Sequence, residues 1–174
     1  LYFPSLGKIA YCYTMLNDSS NVIQTLSRTI DELPPCADEL EARFRRGDAY
    51  RRTDRTVAAI NEYAGIINEV NGANKKAFTK TPEDTKKTGE LMENVYFWKA
   101  YCYAVLNKPP EKIKDYQQKA IDDFTKFVAD YPKSTLSPVA LGRLGSLLYA
   151  NGKSDDANKV FDRLLKEYKD SNEA

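Results

Sequence analysis

Residues 10–17 read AYCYTMLN and residues 100–107 read AYCYAVLN. A phrase repeated this closely at an interval of ninety residues leaves few folds open, because it means that one local packing arrangement is used more than once. Superposition on the small residues Ala10, Gly47, Ala100 and Gly145 shows the unit behind the repetition. Three residues further lie Tyr13, Tyr50, Tyr103 and Leu148, twelve further Val22, Ala59 and Ala157, and sixteen further Leu26, Tyr63 and Phe161. Twenty-four further come Pro34, Asn71 and Lys169. The third copy keeps the order at Ala120, Phe124 and Pro132, but only after an eight-residue insertion around Lys108-Pro109-Pro110.

The unit is helical. Ala157, Val160, Phe161, Leu164, Leu165 and Tyr168 follow the three-and-four spacing of an amphipathic helix with one buried face. Asn151-Gly152 precedes that stripe, Ser154 has the chemistry of an N-cap, and SPVALGRLGSLLYA before the turn opens a second helix at Pro138. Equivalent stripes run through Val22, Ile23, Leu26, Ile30 and Leu33, through Val57, Ile60, Tyr63, Ala64, Ile67 and Val70, and through Ala120, Phe124, Phe127, Val128 and Tyr131. Each follows a shorter segment rich in small and aromatic residues. The pattern predicts four helical hairpins and no strand.

These residues resemble the tetratricopeptide repeat, a unit of about 34 residues with large-x-x-large-Gly/Ala-x-x-Tyr on its first helix and Ala, an aromatic and Pro on its second. The fourth unit, with Leu141, Leu144, Gly145, Leu148, Gly152, Ala157 and Phe161, carries the most complete signature. Its wording from Asp130 to Ser171 looks like the branch found in bacterial envelope proteins, among them outer-membrane-assembly lipoproteins and the Tol-Pal-associated periplasmic protein. The resemblance implies an all-α fold, a right-handed α-solenoid of four helix-turn-helix hairpins. It would form one domain over residues 1–174, with repeats at about 3–36, 40–73, 93–134 and 138–171 and an insertion at 74–92. It also implies a protein-binding scaffold, with a periplasmic or cell-envelope location favoured over the cytoplasm.

Physical reasons stand behind the signature. The small residue lets two antiparallel helices approach, and the aromatic one turn later fills the widening gap. Cys12 and Cys102 occupy a neighbouring slot, held by Ala49 in the second unit, and are expected to be small buried hydrophobes. Arg43 and Arg46 stand where large apolar residues are usual. Either that hairpin is looser, or their stems lie along the core and their heads pair with acids such as Glu62 or Glu69. Gly72 to Glu93, where lysines alternate with Thr, Pro and Asp, is expected to be a solvated or mobile loop. No polar-faced capping repeat is visible at either end, which would fit a segment of a longer array or a chain that stacks on copies of itself.

Composition narrows the function. Net charge is +1, so the whole-molecule field gives no reason to expect nucleic acid. Six arginines fall between Arg43 and Arg55, but at 100° per residue they spread around a helix. There is no histidine, which removes the usual general base, zinc ligand and Ser-His or Cys-His pair. Three dispersed cysteines cannot all pair within one chain. No apolar stretch approaches the roughly 18–20 residues of a spanning helix. No Gly-rich phosphate loop, metal-ligand spacing or nucleophile with a base can be found. The chain is therefore not expected to be an enzyme, to hold a cofactor or metal, to bind nucleic acid or to insert directly into a membrane.

In the family resembled here, first helices line a concave wall that holds peptides. Carried over by register, that wall would present Tyr11, Thr14 and Met15, then Phe44, Asp48, Arg51 and Arg52, then Asn94, Phe97, Tyr101 and Val105, then Ser146 and Tyr149. Aromatic anchors beside Arg suit a binding hot spot, since they bury large area at low entropy and offer planar donors. The two-carboxylate clamp of chaperone-binding relatives is not expected, because its Lys and Asn slots here hold Gly7, Phe44, Phe97 and Gly142 and Tyr11, Asp48, Tyr101 and Ser146. The predicted partner is a protein or peptide. Self-assembly through the end hairpins, abolished by a charge at Leu6 or Leu165, and an accessory segment of a larger protein are the rival expectations.

Overall fold

In a computed structural model, which describes residues 3–169, the described residues form eight α-helices and no strand. The helices are α1 (Phe3–Met15), α2 (Ser19–Glu32), α3 (Ala37–Arg52), α4 (Thr56–Asn71), α5 (Pro82–Val105), α6 (Ile113–Asp130), α7 (Ser137–Ala150) and α8 (Ser154–Glu167). Taken in pairs they are the four hairpins that the apolar stripes predict. Residues 170 and 171 of the fourth repeat lie outside the described residues, as do the extreme ends on which the expectation of missing caps falls.

First helices stop at a common place. Asn17 (φ 56°), Asp54 (φ 57°) and Gly152 (φ 75°) each adopt the left-handed conformation seven residues after the superposed small residue. Asn, Asp and Gly reach that conformation at least cost, so the slot ends the helix and starts the turn. Asn107 holds the same slot in the third copy, where the chain instead enters the Lys108-Pro109-Pro110 insertion. After the first turn, the Asp18 carboxylate accepts from the Asn21 backbone N–H at 3.1 Å and caps α2. These hydrogen bonds, backbone first and the Asn21 side chain second, hold the Asp18 pKa below its ordinary value.

The chain divides into two compact units, Leu1–Val95 and Tyr96–Ala174. In the first, α1, α2, α3 and α4 pack each against the next. Ala10, Val22, Leu26, Ala42 and Ala49 form the buried cluster that joins its two hairpins. In the second, Phe97 and Ala100 of α5 share one core with Ala120, Phe124 and Phe127 of α6, Leu141 and Leu144 of α7, and Ala157 and Leu164 of α8. All four superposed small residues are buried. At the two glycines of this slot the nearest neighbour is the residue sixteen positions on rather than the aromatic one turn later: a Cβ added at Gly47 would lie 2.7 Å from Tyr63 Cε1.

Several expectations change in three dimensions. The 74–92 segment is not a solvated loop: Ala73–Ala77 winds into a short 3-10 turn, Phe78 is fully buried, and α5 begins at Pro82. Thr81 and Asp84 cap that helix reciprocally, the Asp84 N–H donating to Thr81 Oγ1 at 3.0 Å while the Thr81 N–H donates to Asp84 Oδ2 at 3.1 Å. Two of the segment's lysines sit on the surface of α5, with Lys87 paired to Glu83 and Lys86 to Glu90. Cys102 is buried as expected, but Cys12 is exposed. The equivalent Ala49 is covered by α2 of the preceding hairpin, and no described element covers Cys12. Ser154 is the first residue of α8 and makes no side-chain cap. Leu6 is a core residue and Leu165 an exposed one, so only the second could serve as a surface probe.

The two misplaced arginines resolve in favour of pairing. Arg43 Nη1 donates to Glu69 Oε1 at 2.5 Å and lies 3.5 Å from Glu39 Oε1. Arg46 Nη2 donates to Glu62 Oε1 at 2.7 Å while its Nη1 donates to Ser27 Oγ at 3.0 Å, tying α3 to both α4 and α2. An ionic seam thus runs through the second hairpin.

Candidate functional site

A cavity of about 220 Å³ opens between α1, the start of α2 and α3, wholly within the first unit. Its floor is apolar because Ala10, Val22, Leu26 and Ala49 meet there with their side chains turned toward one another. Its walls are the upper turns of α1 and α3, carrying Tyr11 and Thr14 on one side and Phe44, Arg45, Asp48 and Arg52 on the other. The turn residues Asn17 and Ser19 close one end. The cleft lies over Ala10 and Ala49, which share one buried cluster, between the side chains at 11 and 14 on α1 and at 44 and 48 on α3.

Each wall side chain is positioned by its own helix. Thr14 Oγ1 donates to the Ala10 carbonyl at 2.9 Å, which fixes its rotamer. The Phe44 ring leans against Tyr63, with centroids 5.8 Å apart and planes at 39°. Arg45 bonds Glu41 on its own helix at 2.6 Å. Among the described residues Asp48 is the only carboxylate lining the cavity, and Arg51 donates to it through both Nε and Nη2. Burial opposes the Arg51 charge, but the hydrogen bond and charge of Asp48 outweigh it and raise its pKa. Arg52 Nη1 stands 4.0 Å from Asp48 Oδ2 with half of its side chain exposed.

Five of the residues assigned to the binding wall by register therefore converge here: Tyr11, Thr14, Phe44, Asp48 and Arg52. Met15 is exposed on α1 near them but does not line the cavity. Arg51 is turned away and structural. Among the remaining positions, Asn94 is half-buried and its amide donates to the Glu90 carbonyl at 3.0 Å. Phe97 is a correction: it is buried, edge-on to Phe124 and Phe127, and belongs to the core of the second unit. Tyr101 is half-buried between Trp98, whose ring meets it edge-on at 5.4 Å, and Arg143, whose guanidinium lies 5.3 Å from its ring centre. Val105, Ser146 and Tyr149 are exposed. Sequence reasoning missed Arg45, Ser19 and Asn17 of the cavity lining. The recurrence of Asn, Asp, Asn and Gly seven residues after the small slot could have found the last of these.

No group of three or more His, Cys, Asp or Glu able to hold a metal exists among the described residues, and none of the described helices is long and apolar enough to cross a membrane. Residues 94–134 and 140–171 match the tetratricopeptide repeat family model. Those segments are the third and fourth hairpins and amount to less than half of the chain. No curated protein matches the chain.

Proposed function

We propose that this chain is a noncatalytic interaction scaffold that holds a peptide segment or partner domain in the cleft between α1 and α3. Tetratricopeptide repeats generally mediate contacts between proteins, and two segments of this chain match them. The observation that carries the reading is the meeting of Tyr11, Thr14, Phe44, Asp48 and Arg52 around one apolar cavity. Rigid rings over an apolar floor with guanidiniums at the rim are what a peptide hot spot requires. The likeness of residues 130–171 to envelope repeats supports a location in a bacterial cell envelope, which fractionation of the native protein tests.

Selection of a displayed random-peptide library on the chain tests the cleft. The control is Thr14→Trp, an exposed substitution that fills the cavity mouth without touching the core. Enriched peptides are expected to bind the parent chain and to lose the Thr14→Trp variant, both having the same helicity by circular dichroism. Peptides that bind the two alike would refute the cleft.

A second reading rests on a different face. Ile9, Cys12 and Leu16 lie along one side of α1 and are exposed, whereas the matching side of α3 is covered by α2. A second copy of this chain, offering a second-helix surface as α2 does, would cover that row. Sedimentation or light scattering across a concentration series, with Leu16→Glu as the control, tests it: a mass that stays monomeric in the parent chain at every concentration refutes self-stacking.

A further inference from the structure

Resting on the cleft reading, we infer that the occupant of the α1/α3 cavity is an acidic peptide segment that seats one aromatic side chain on the apolar floor and places a carboxylate on Arg52.

The size of the cavity limits what enters. At about 220 Å³ it exceeds the roughly 150 Å³ of an engineered void that admits benzene. It falls short of the about 300–1,000 Å³ of sites that enclose a whole drug-sized ligand. The apolar floor is thus of a size to take one ring. The walls also favour a ring, since Phe44 and Tyr11 can meet it edge-on or offset, and an aromatic side chain loses little entropy on burial.

Charge decides what flanks the ring. The lining holds two guanidiniums, Arg45 and Arg52, and one carboxylate, Asp48. That carboxylate is already engaged by Arg51 from outside the cavity, so it offers little to an incoming cation. Arg45 is occupied by Glu41. Arg52 is left with a 4.0 Å approach to Asp48 and a half-exposed fork of donors, the group best able to take a carboxylate from a partner. A basic segment would instead meet this surplus of positive charge with no free acid to receive it.

Fluorescence anisotropy with three labelled Gly/Ser peptides tests the inference. One carries a single Phe flanked on both sides by Asp-Glu, the second replaces the acids with Lys, and the third replaces Phe with Ala. The acidic Phe peptide is expected to bind tightest, with either replacement weakening it roughly fivefold or more, and its affinity should fall as salt is raised. Arg52→Glu, at unchanged helicity, is expected to reverse the preference between the acidic and Lys peptides. If both Phe peptides bind equally and both are lost in Thr14→Trp, the cleft reading stands and the acidic preference is overturned. If no peptide responds to Thr14→Trp, the cleft reading itself fails. Acidic binding indifferent to the Phe-to-Ala change overturns the seated ring.

Discussion

A Cβ added at Gly145 on α7 would lie 2.5 Å from Cε1 of Phe161 on α8 and 2.6 Å from its Cζ, closer than any side chain tolerates. The ring occupies the space that glycine leaves, and the fourth hairpin closes on that contact. At Gly142, one turn earlier on the same helix, the nearest atom to an added Cβ would be Leu164 Cδ2 at 4.0 Å. The two glycines therefore separate helix propensity from packing. Gly142→Ala is expected to be neutral or to stabilise by about 0.5–1 kcal/mol. Gly145→Ala gains the same propensity but must displace the Phe161 ring, and is expected to destabilise by about 1–3 kcal/mol net. Denaturant unfolding followed by fluorescence of Trp98, the single tryptophan and a member of the same unit, reads both variants.

Phe78 supplies a second comparison, because it is buried although its neighbours in sequence are mostly polar. Its side chain is fully buried, and the hydroxyl of Thr88, itself buried, donates to its carbonyl at 2.7 Å. Phe78→Ala is expected to cost about 3–5 kcal/mol. Thr88→Val, which keeps the shape and removes the donor, is expected to cost about 1–2 kcal/mol. Far-UV circular dichroism in urea measures both. A Phe78→Ala variant as stable as the parent would mean that the segment before α5 contributes nothing to the first unit.

How far the sequence could be read follows the range of each interaction. The hairpins were visible because the small slot and the apolar stripes repeat with a fixed period. The start of α5 is also written, as Thr81-Pro82-Glu83-Asp84, a capping box with Pro in the first turn, but the lysines around it suggest solvation as readily as i,i+4 pairing. Phe78 could not be assigned, since one aromatic among polar residues has no periodicity. For the site, register pointed Tyr11, Thr14, Phe44, Asp48 and Arg52 to one side, and the five line one cavity. It could not separate Arg51 from Arg52, adjacent in sequence, of which the first folds back on Asp48. Nor could it foresee that Phe97 is claimed by Phe124 and Phe127. Register gives a direction from the helix axis, and burial depends on what the neighbouring hairpin brings to that side.

The ionic seam in the second hairpin should behave as a pair rather than as two residues. Arg46 and Glu62 are both mostly shielded from solvent and bonded at 2.7 Å. Removing one leaves the other charge without its partner in a site poor in water, so Arg46→Met and Glu62→Leu are each expected to destabilise by roughly 2–4 kcal/mol. The double variant puts two apolar side chains face to face and is expected to come within about 1 kcal/mol of the parent. Thermal or urea unfolding of the four proteins gives the coupling directly; additive losses in the double variant would show that the two charges act independently.

Glu39 stands at the end of the same seam and is the least well satisfied of its acids. It is buried, its Oε2 has no hydrogen-bond partner, and Arg43, 3.5 Å from its other oxygen, is committed to Glu69. Burial pushes its pKa above the ordinary glutamate value, with the Glu69 and Glu62 charges adding to the effect and Arg43 opposing it. The folded state thus holds the Glu39 proton more tightly than the unfolded chain does. Its contribution to stability is full at pH below the ordinary glutamate value and is lost as pH climbs through the raised one. Glu39→Gln keeps the shape and removes the charge. The variant is expected to match the parent at the acid end and to become the more stable protein as pH rises to neutrality, by about 1 kcal/mol. Urea midpoints of the two proteins measured across that pH range test the sign: a gap that stays constant, or that favours the parent at neutral pH, would show that Arg43 compensates the buried carboxylate in full.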